Sequence, residues 1–385
     1  MPIAYEPGIE AQVDFGEAWA YVAGKITKVH LLCMQLPYST ARFARVYPTE
    51  RQEAFFDGIQ EGFYYFEGVP HRVTFDNPKT LVKKLYRGHR RDEQKNFIAF
   101  RSHFMFEGHF CNTQCPNEKG HVEGLVGVIR RNVFVPIPEV ESIEELNEPI
   151  LNWCQKDLNR SHPDKEGTVR NHLDKEKERL LPLPKRRYPC CRIQEAIVNK
   201  FSEVRFDHNL YSVPIRYAYK CVSIKGYVDK VKIVKDDGII AEHHRSYARG
   251  QEILEPVHYI PILKRKPHVL EHGKPFKNWR LPRIFEEYRK ILKERVDKPE
   301  KEYIRLLLLH EDYTTQEIAQ ALSQAITFGC LSVDAVRIFL NHKEDNPSGA
   351  RLDTRAWPEF DAIKVKSPDI KGFNRLLEIE EVSIV

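Results

Sequence analysis

Two hydrophobic periods alternate along the N-terminal part of this chain, and their order constrains the fold more than any other feature. Residues 11–17 read as a short strand with a polar end, and residues 25–36 and 41–47 as two more, separated by a turn at Pro37, Tyr38 and Ser39. Thr49 and Gln52 then fit a capping box for a helix running to Phe66, with Phe55, Phe56, Ile59 and Phe63 at helical spacing. Residues 72–76 predict a fourth strand and 104–106 a fifth, and a helix is expected from Asn117 to about Phe134. Asp14 falls within the first strand, Asp76 at the end of the fourth and Glu123 in the last helix.

Three strands, a helix, a strand, then a strand and a helix is the order of an α/β RNase H-like domain, expected over residues 1–160. Residues 161–195 are charged and punctuated by proline and are read as a linker. From 196 to 262 the period changes to two, with Asp236, Asp237 and Gly238 as a hairpin turn, which predicts a small all-β barrel. Residues 263–344 carry helical periodicity, with a second capping box at Thr314 and Glu317, and form a C-terminal α-helical region. The tail, 345–385, has no clear period and is expected to be poorly ordered.

In that topology the first and fourth strands are neighbours and the last helix packs beside them, so Asp14, Asp76 and Glu123 can converge. Three carboxylates in one pocket repel one another unless cations neutralise them. Two Mg²⁺ (or Mn²⁺) ions suit an oxygen-only ligand set and can serve both the attacking and the leaving oxygen of a displacement. Glu118 competes with Glu123 as the third ligand. With Asn117 as N-cap, Glu118 falls in the first turn, where the helix dipole alone accounts for a carboxylate. Glu123 has no such explanation, and Gly120, Gly127 and Arg130 share its face. Singly, Asp14 with Gly16 could cap a turn, and Asp76, Asn77 and Pro78 are ordinary turn residues. Glu17 is a conceivable substitute ligand, but alternation turns it away from the face of Asp14.

Three stretches carry a family resemblance: Gln12, Val13, Asp14, Phe15 and Gly16; Phe75, Asp76, Asn77, Pro78 and Lys79; and Glu118, Lys119, Gly120, His121, Val122 and Glu123. Together they resemble the transposase subunit of the IS21 insertion-sequence family. Downstream, Tyr211 to Pro214, His244 to Tyr247, and Lys266 with Pro267 look like that family's later domain. The resemblance covers roughly residues 5–340. It implies an integrase-core domain with DDE-type polynucleotidyl transfer, a barrel like that of phage Mu transposase, and an AAA+ ATPase helper as partner. It also implies DNA end cleavage and strand transfer by a homo-oligomer on transposon ends and target. Members normally begin with helix-turn-helix domains, whereas only thirteen residues precede Asp14. The expectation is therefore backbone-mediated DNA binding with little preference for end sequence, and poor transposition by this chain alone.

The net charge of +5, from 60 basic and 55 acidic residues, is too mild to identify a partner. Its distribution says more. Residues 72–91 hold seven Lys or Arg against the single acid Asp76. Lys79, Lys83, Lys84, Arg87, Arg90 and Arg91, together with Lys119, His121 and Arg130, are the candidate DNA contacts, against the simpler reading of a solvated loop. His103, His109, Cys111 and Cys115 have no common zinc spacing. The eight cysteines read as reduced thiols of a cytoplasmic, nucleoid-associated protein, and no apolar run approaches a membrane span. Two rival functions remain: a hydrolysis-only RNase H-like nuclease, and a non-catalytic DNA-binding or assembly protein. The appended domains count against the first, and the presence of all three acids counts against the second.

Overall fold

In a computed structural model the structure describes residues 5–75, 82–85, 91–110 and 122–341. Strand β1 (Glu10–Val22) turns at Ala23 and Gly24, both with positive φ, into β2 (Lys25–Gln35), and β3 (Arg42–Tyr47) follows. Helix α1 (Gln52–Phe66), β4 (Arg72–Phe75), the hairpin β5 (Val82–Leu85) and β6 (Arg91–Glu93), helix α2 (Lys95–Phe104), β7 (Glu107–Phe110) and helix α3 (Val122–Val133) come next. The main sheet has the order β3-β2-β1-β4-β7, with β8 (Glu139–Val140) beside β1. The first three strands are antiparallel, while β4 and β7 run parallel to β1. This is the strand order of an RNase H-like sheet, with β1 central.

Several details differ from the sequence reading. The capping box at Thr49 is not formed; Arg51 is the N-cap of α1, and Thr49 Oγ1 accepts from the Arg51 amide instead. Residues 104–106 are not a strand. Phe104 ends α2, Met105 turns left-handed, and the strand begins at Glu107. Phe97, Phe100 and Phe104 explain this, because their spacing buries all three on one helical face. The expected helix start at Asn117 lies outside the described residues.

The helix after β8 is α4 (Asn147–Asp157). Residues 161–195 are more than a linker, since they contain α5 (Val169–Lys177), started by a capping box between Thr168 and Asn171. Val169 and Leu173 join the same core as Phe55, Phe63 and Phe75. The buried carboxylate of Glu176 accepts from the amides of Gly8 (3.2 Å) and Ser39 (3.1 Å), so α5 fastens the chain ahead of β1 to the β2–β3 turn.

The β-unit consists of β9 (Arg192–Ile197), β10 (Glu203–Phe206), β11 (Asn209–Ser212), β12 (Cys221–Gly226), β13 (Lys230–Lys235), β14 (Gly238–His244) and β15 (Glu252–Ile253). They form two sheets, β14-β13-β12-β9 and β10-β11-β15, around one core that includes Phe206, Tyr211, Ile224 and Ile233. A buried ion network ties this unit to α1. Arg245 Nη2 donates to Glu53 Oε1 (2.7 Å) and to Asp207 Oδ2 (2.8 Å), and Arg51 also pairs with Asp207. The Arg245 and Glu53 side chains are 0% and 2% exposed, so neither charge has water to fall back on.

Buried His243 of the β-unit and half-buried His258 just after it share Ser212. His258 Nδ1 and Ser212 Oγ are 2.8 Å apart, and His243 Nε2 meets the Ser212 carbonyl at 2.7 Å. Burial, and then the neighbouring His243, hold the His258 imidazole down to about 3. A depressed histidine stabilises the folded state above the unfolded-state value of about 6.5, and that contribution is lost as pH falls from there toward 3. The unfolding free energy from denaturant titrations should therefore fall below about pH 6.5, by up to roughly 1.4 kcal/mol per pH unit. His258→Gln should flatten the slope, and an unchanged slope in that variant would contradict the assignment.

The chain divides into two compact units, residues 1–259 and 260–385. Described within the second are α6 (Ile260–Leu263), α7 (Val269–His272), α8 (Arg283–Arg295), α9 (Pro299–Leu307), α10 (Thr315–Thr327) and α11 (Val333–Asn341). Its core includes Phe285, Tyr288, Leu292, Leu307 and Leu322. The capping box of Thr314 and Glu317 forms at the start of α10. No helix among the described residues is long and apolar enough to cross a membrane.

Candidate active site on the central strand

Strand β1 sorts its side chains by parity. Ala11, Val13 and Phe15 face the core built on α1 and α2. Ala18 and Ala20 face the other way, into a core with Leu125, Val126 and Ile129 of α3. The β1–β2 register is unbroken, so Asp14 and Gly16 share the face of Ala18 and Ala20. Asp14 is half-buried there, and its Oδ1 accepts from the Phe15 amide at 2.9 Å. Its Cα partner on β2 is Cys33. Burial pushes the Cys33 thiol well above its ordinary value, and the negative charge of Asp14 pushes it further.

Gly16 determines how closely α3 approaches. A Cβ at this position would lie 2.2 Å from Val126 Cγ1 and 2.8 Å from Cγ2, so only glycine allows the helix to rest on the strand here. One turn further along α3, Arg130 Nε donates to the carbonyl oxygen of Glu17. Because Val126 meets Gly16 and Arg130 meets Glu17, the helix advances in the same direction as β1. Glu123 precedes Val126 by three residues, about 4.5 Å along the axis, and so lies toward the Asp14 end. On the other side of β1, Phe75 at the end of β4 is the Cα partner of Val13.

Of the carboxylates read from the sequence, Asp14 is placed with its side chain, and Glu123 is placed by its backbone in the first turn of α3. Asp76 and Glu118 lie outside the described residues. Among the basic candidates, Lys83, Lys84 and Arg91 belong to the β5–β6 hairpin. Lys79, Arg87, Arg90, Lys119 and His121 lie outside the described residues, as do Cys111 and Cys115. Arg130 is exposed and spends one of its five donors on the Glu17 carbonyl. Glu17 sits with His30 and Glu50 on the opposite side of β1 from Asp14. That grouping could have been found by counting outward from the turn at Ala23 and Gly24, which makes Glu17 and His30 cross-strand partners.

The Gly16 contact yields a prediction. Gly16→Ala should destabilise the protein by about 1–3 kcal/mol through overpacking against Val126. Adding Val126→Ala should restore most of the loss. Urea denaturation of the two variants checks this, and additive losses in the double variant would contradict it.

The family described as "Mu transposase, C-terminal domain" matches residues 183–255, which contain all the strands of the β-unit. A transposase of Aminobacter aminovorans is 31% identical over 366 residues, covering 90% of this chain and 69% of that protein. The transposase for insertion sequences IS1326/IS1353 of Pseudomonas aeruginosa is 30% identical over 355 residues, with the same coverage of 90% and 69%. The transposase for insertion sequence element IS21 of Pseudomonas aeruginosa is 26% identical over 270 residues, covering 69% of this chain and 68% of its own. Among solved structures, the HTLV-2 integrase catalytic core domain in complex with magnesium aligns over 43% of this chain and 97% of that one, at 15% identity and a TM-score of 0.32. The sequence relationships extend through both the sheet carrying Asp14 and the β-unit, and the chain belongs to the IS21 family of insertion-sequence transposases.

Proposed function

We propose that this chain cleaves transposon ends and transfers the freed 3′-OH to target DNA, with Asp14, Asp76 and Glu123 holding two divalent ions, Mg²⁺ or Mn²⁺. The observation that carries the reading is the half-buried carboxylate of Asp14 on the α3 side of the central strand. Glu123 enters on that helix, and β4 ends at Phe75, the residue before Asp76. The donor set fits such ions, because carboxylate oxygens are what hard divalent cations prefer. Bound there, the ions would supply charge neutralisation and stabilise the attacking and leaving oxygens.

The protein's own contribution is placement. Gly16 lets α3 close on β1, which fixes the spacing between the Asp14 strand and the Glu123 helix. The core behind them is aromatic and tightly packed, with Phe15 against Phe55 at 5.5 Å and Phe55 against Phe75 at 5.7 Å between ring centroids. That packing anchors both β1 and β4, the strands that lead to the two aspartates. Arg130, held by the Glu17 carbonyl, has donors left for a phosphate. The basic residues 79–91 and Lys119 and His121 track the DNA backbone, and an AAA+ helper and further copies of the chain complete the assembly on DNA.

Joining of a labelled 3′-OH end to plasmid DNA in Mg²⁺ tests the proposal. Joined product supports strand transfer. Cleavage without joining would identify a hydrolase, and binding without either would identify an assembly protein on an inactive fold.

A further inference from the structure

The side of β1 opposite Asp14 carries a second group of metal-ligating side chains. Glu17, His30 and Glu50 each offer one ligand atom, and the three atoms lie within 4.8 Å of one another. Three separate segments supply them. Glu17 and His30 are cross-strand partners in the β1–β2 hairpin, and Glu50 lies between β3 and α1. His30 Nδ1 and Glu50 Oε1 are 2.9 Å apart, an arrangement that needs one shared proton. Glu17 is held by Lys28, but both side chains are well exposed, at 48% and 42%, so water screens that pair.

We propose that Glu17, His30 and Glu50 form a binding site for one Zn²⁺ ion, separate from the carboxylate site on the other face of β1. One imidazole nitrogen and two carboxylate oxygens make a ligand set that suits zinc, and the imidazole disfavours Mg²⁺. On binding, the cation replaces the proton shared by His30 and Glu50, and the Lys28 ammonium leaves Glu17 for solvent. The exposed side of the site remains open to water. Binding ties the β1–β2 hairpin to the segment entering α1, through the residue whose carbonyl anchors Arg130.

The test is a zinc titration of the full chain against a chromophoric chelator, with millimolar Mg²⁺ present to occupy sites that prefer it. The wild type should bind one zinc equivalent that His30→Gln and Glu50→Gln each lose or bind at least about tenfold more weakly. Asp14→Asn should keep that equivalent. Lys28→Ala should bind it more tightly, since a competing ammonium is gone. Circular dichroism establishes that the His30→Gln variant is folded. Unchanged stoichiometry and affinity in both His30→Gln and Glu50→Gln would overturn the proposal. So would loss of the equivalent in Asp14→Asn with retention in His30→Gln.

Discussion

Asp14→Asn is expected to reduce DNA joining by at least about a thousandfold, near 4 kcal/mol of transition-state stabilisation, while leaving the protein folded. An asparagine retains the Oδ1 that accepts from the Phe15 amide and fits the same half-buried space on β1. It removes one negative charge from the proposed ion-binding set. Asp76→Asn and Glu123→Gln should behave in the same way. Glu118→Gln and Glu17→Gln should retain joining, which separates the proposed third ligand from its two nearest competitors. Joining within tenfold of wild type in Asp14→Asn, at unchanged thermal stability, would eliminate the mechanism. Loss in Glu118→Gln with retention in Glu123→Gln would reassign the third carboxylate.

The second large effect is one of stability. Arg245→Met should cost about 3–5 kcal/mol, because it leaves the Glu53 carboxylate uncompensated in a buried setting and takes one of three arginines from Asp207. Burial alone would raise the Asp207 carboxyl. The hydrogen bond and charge of Arg245, aided by Arg192 and Arg51, hold it below the ordinary range instead. Combining Arg245→Met with Glu53→Gln should recover much of the loss, since the neutral pair no longer carries the desolvation penalty while Asp207 keeps Arg51 and Arg192. Urea midpoints of the single and double variants measure this. A single variant within about 1 kcal/mol of wild type would mean that water reaches the network.

The parts of the fold that the sequence made legible are those specified by local pattern. The order of β1 to β4 follows from short alternating runs punctuated by turns, and the capping box of Thr314 and Glu317 needs only four consecutive residues. Helix α2 escaped because Phe104, Met105 and Phe106 imitate strand alternation. The competing signal, Phe97, Phe100 and Phe104, is spread over eight residues. Helix α5 escaped because it is short and highly charged, and its burial depends on partners far away in the chain. The contact of Arg245 with Glu53 joins residues 192 positions apart and leaves no periodic trace. At the candidate site, alternation correctly separated Glu17 from Asp14. The role of Gly16 as the resting place of Val126 required knowing which helix covers that face.

Helix α5 sets a lower bound on any fragment of this protein that can fold by itself. A chain cut near residue 160 would strip the Glu176 carboxylate from the Gly8 and Ser39 amides and open the core where Val169 and Leu173 sit. A cut near residue 190 would keep those contacts but leave Glu53 without Arg245. Limited proteolysis should therefore spare the region around α5 and yield a resistant core extending to about residue 259, where the first compact unit ends. The piece that looks catalytic in sequence is shorter than the compact unit that contains it.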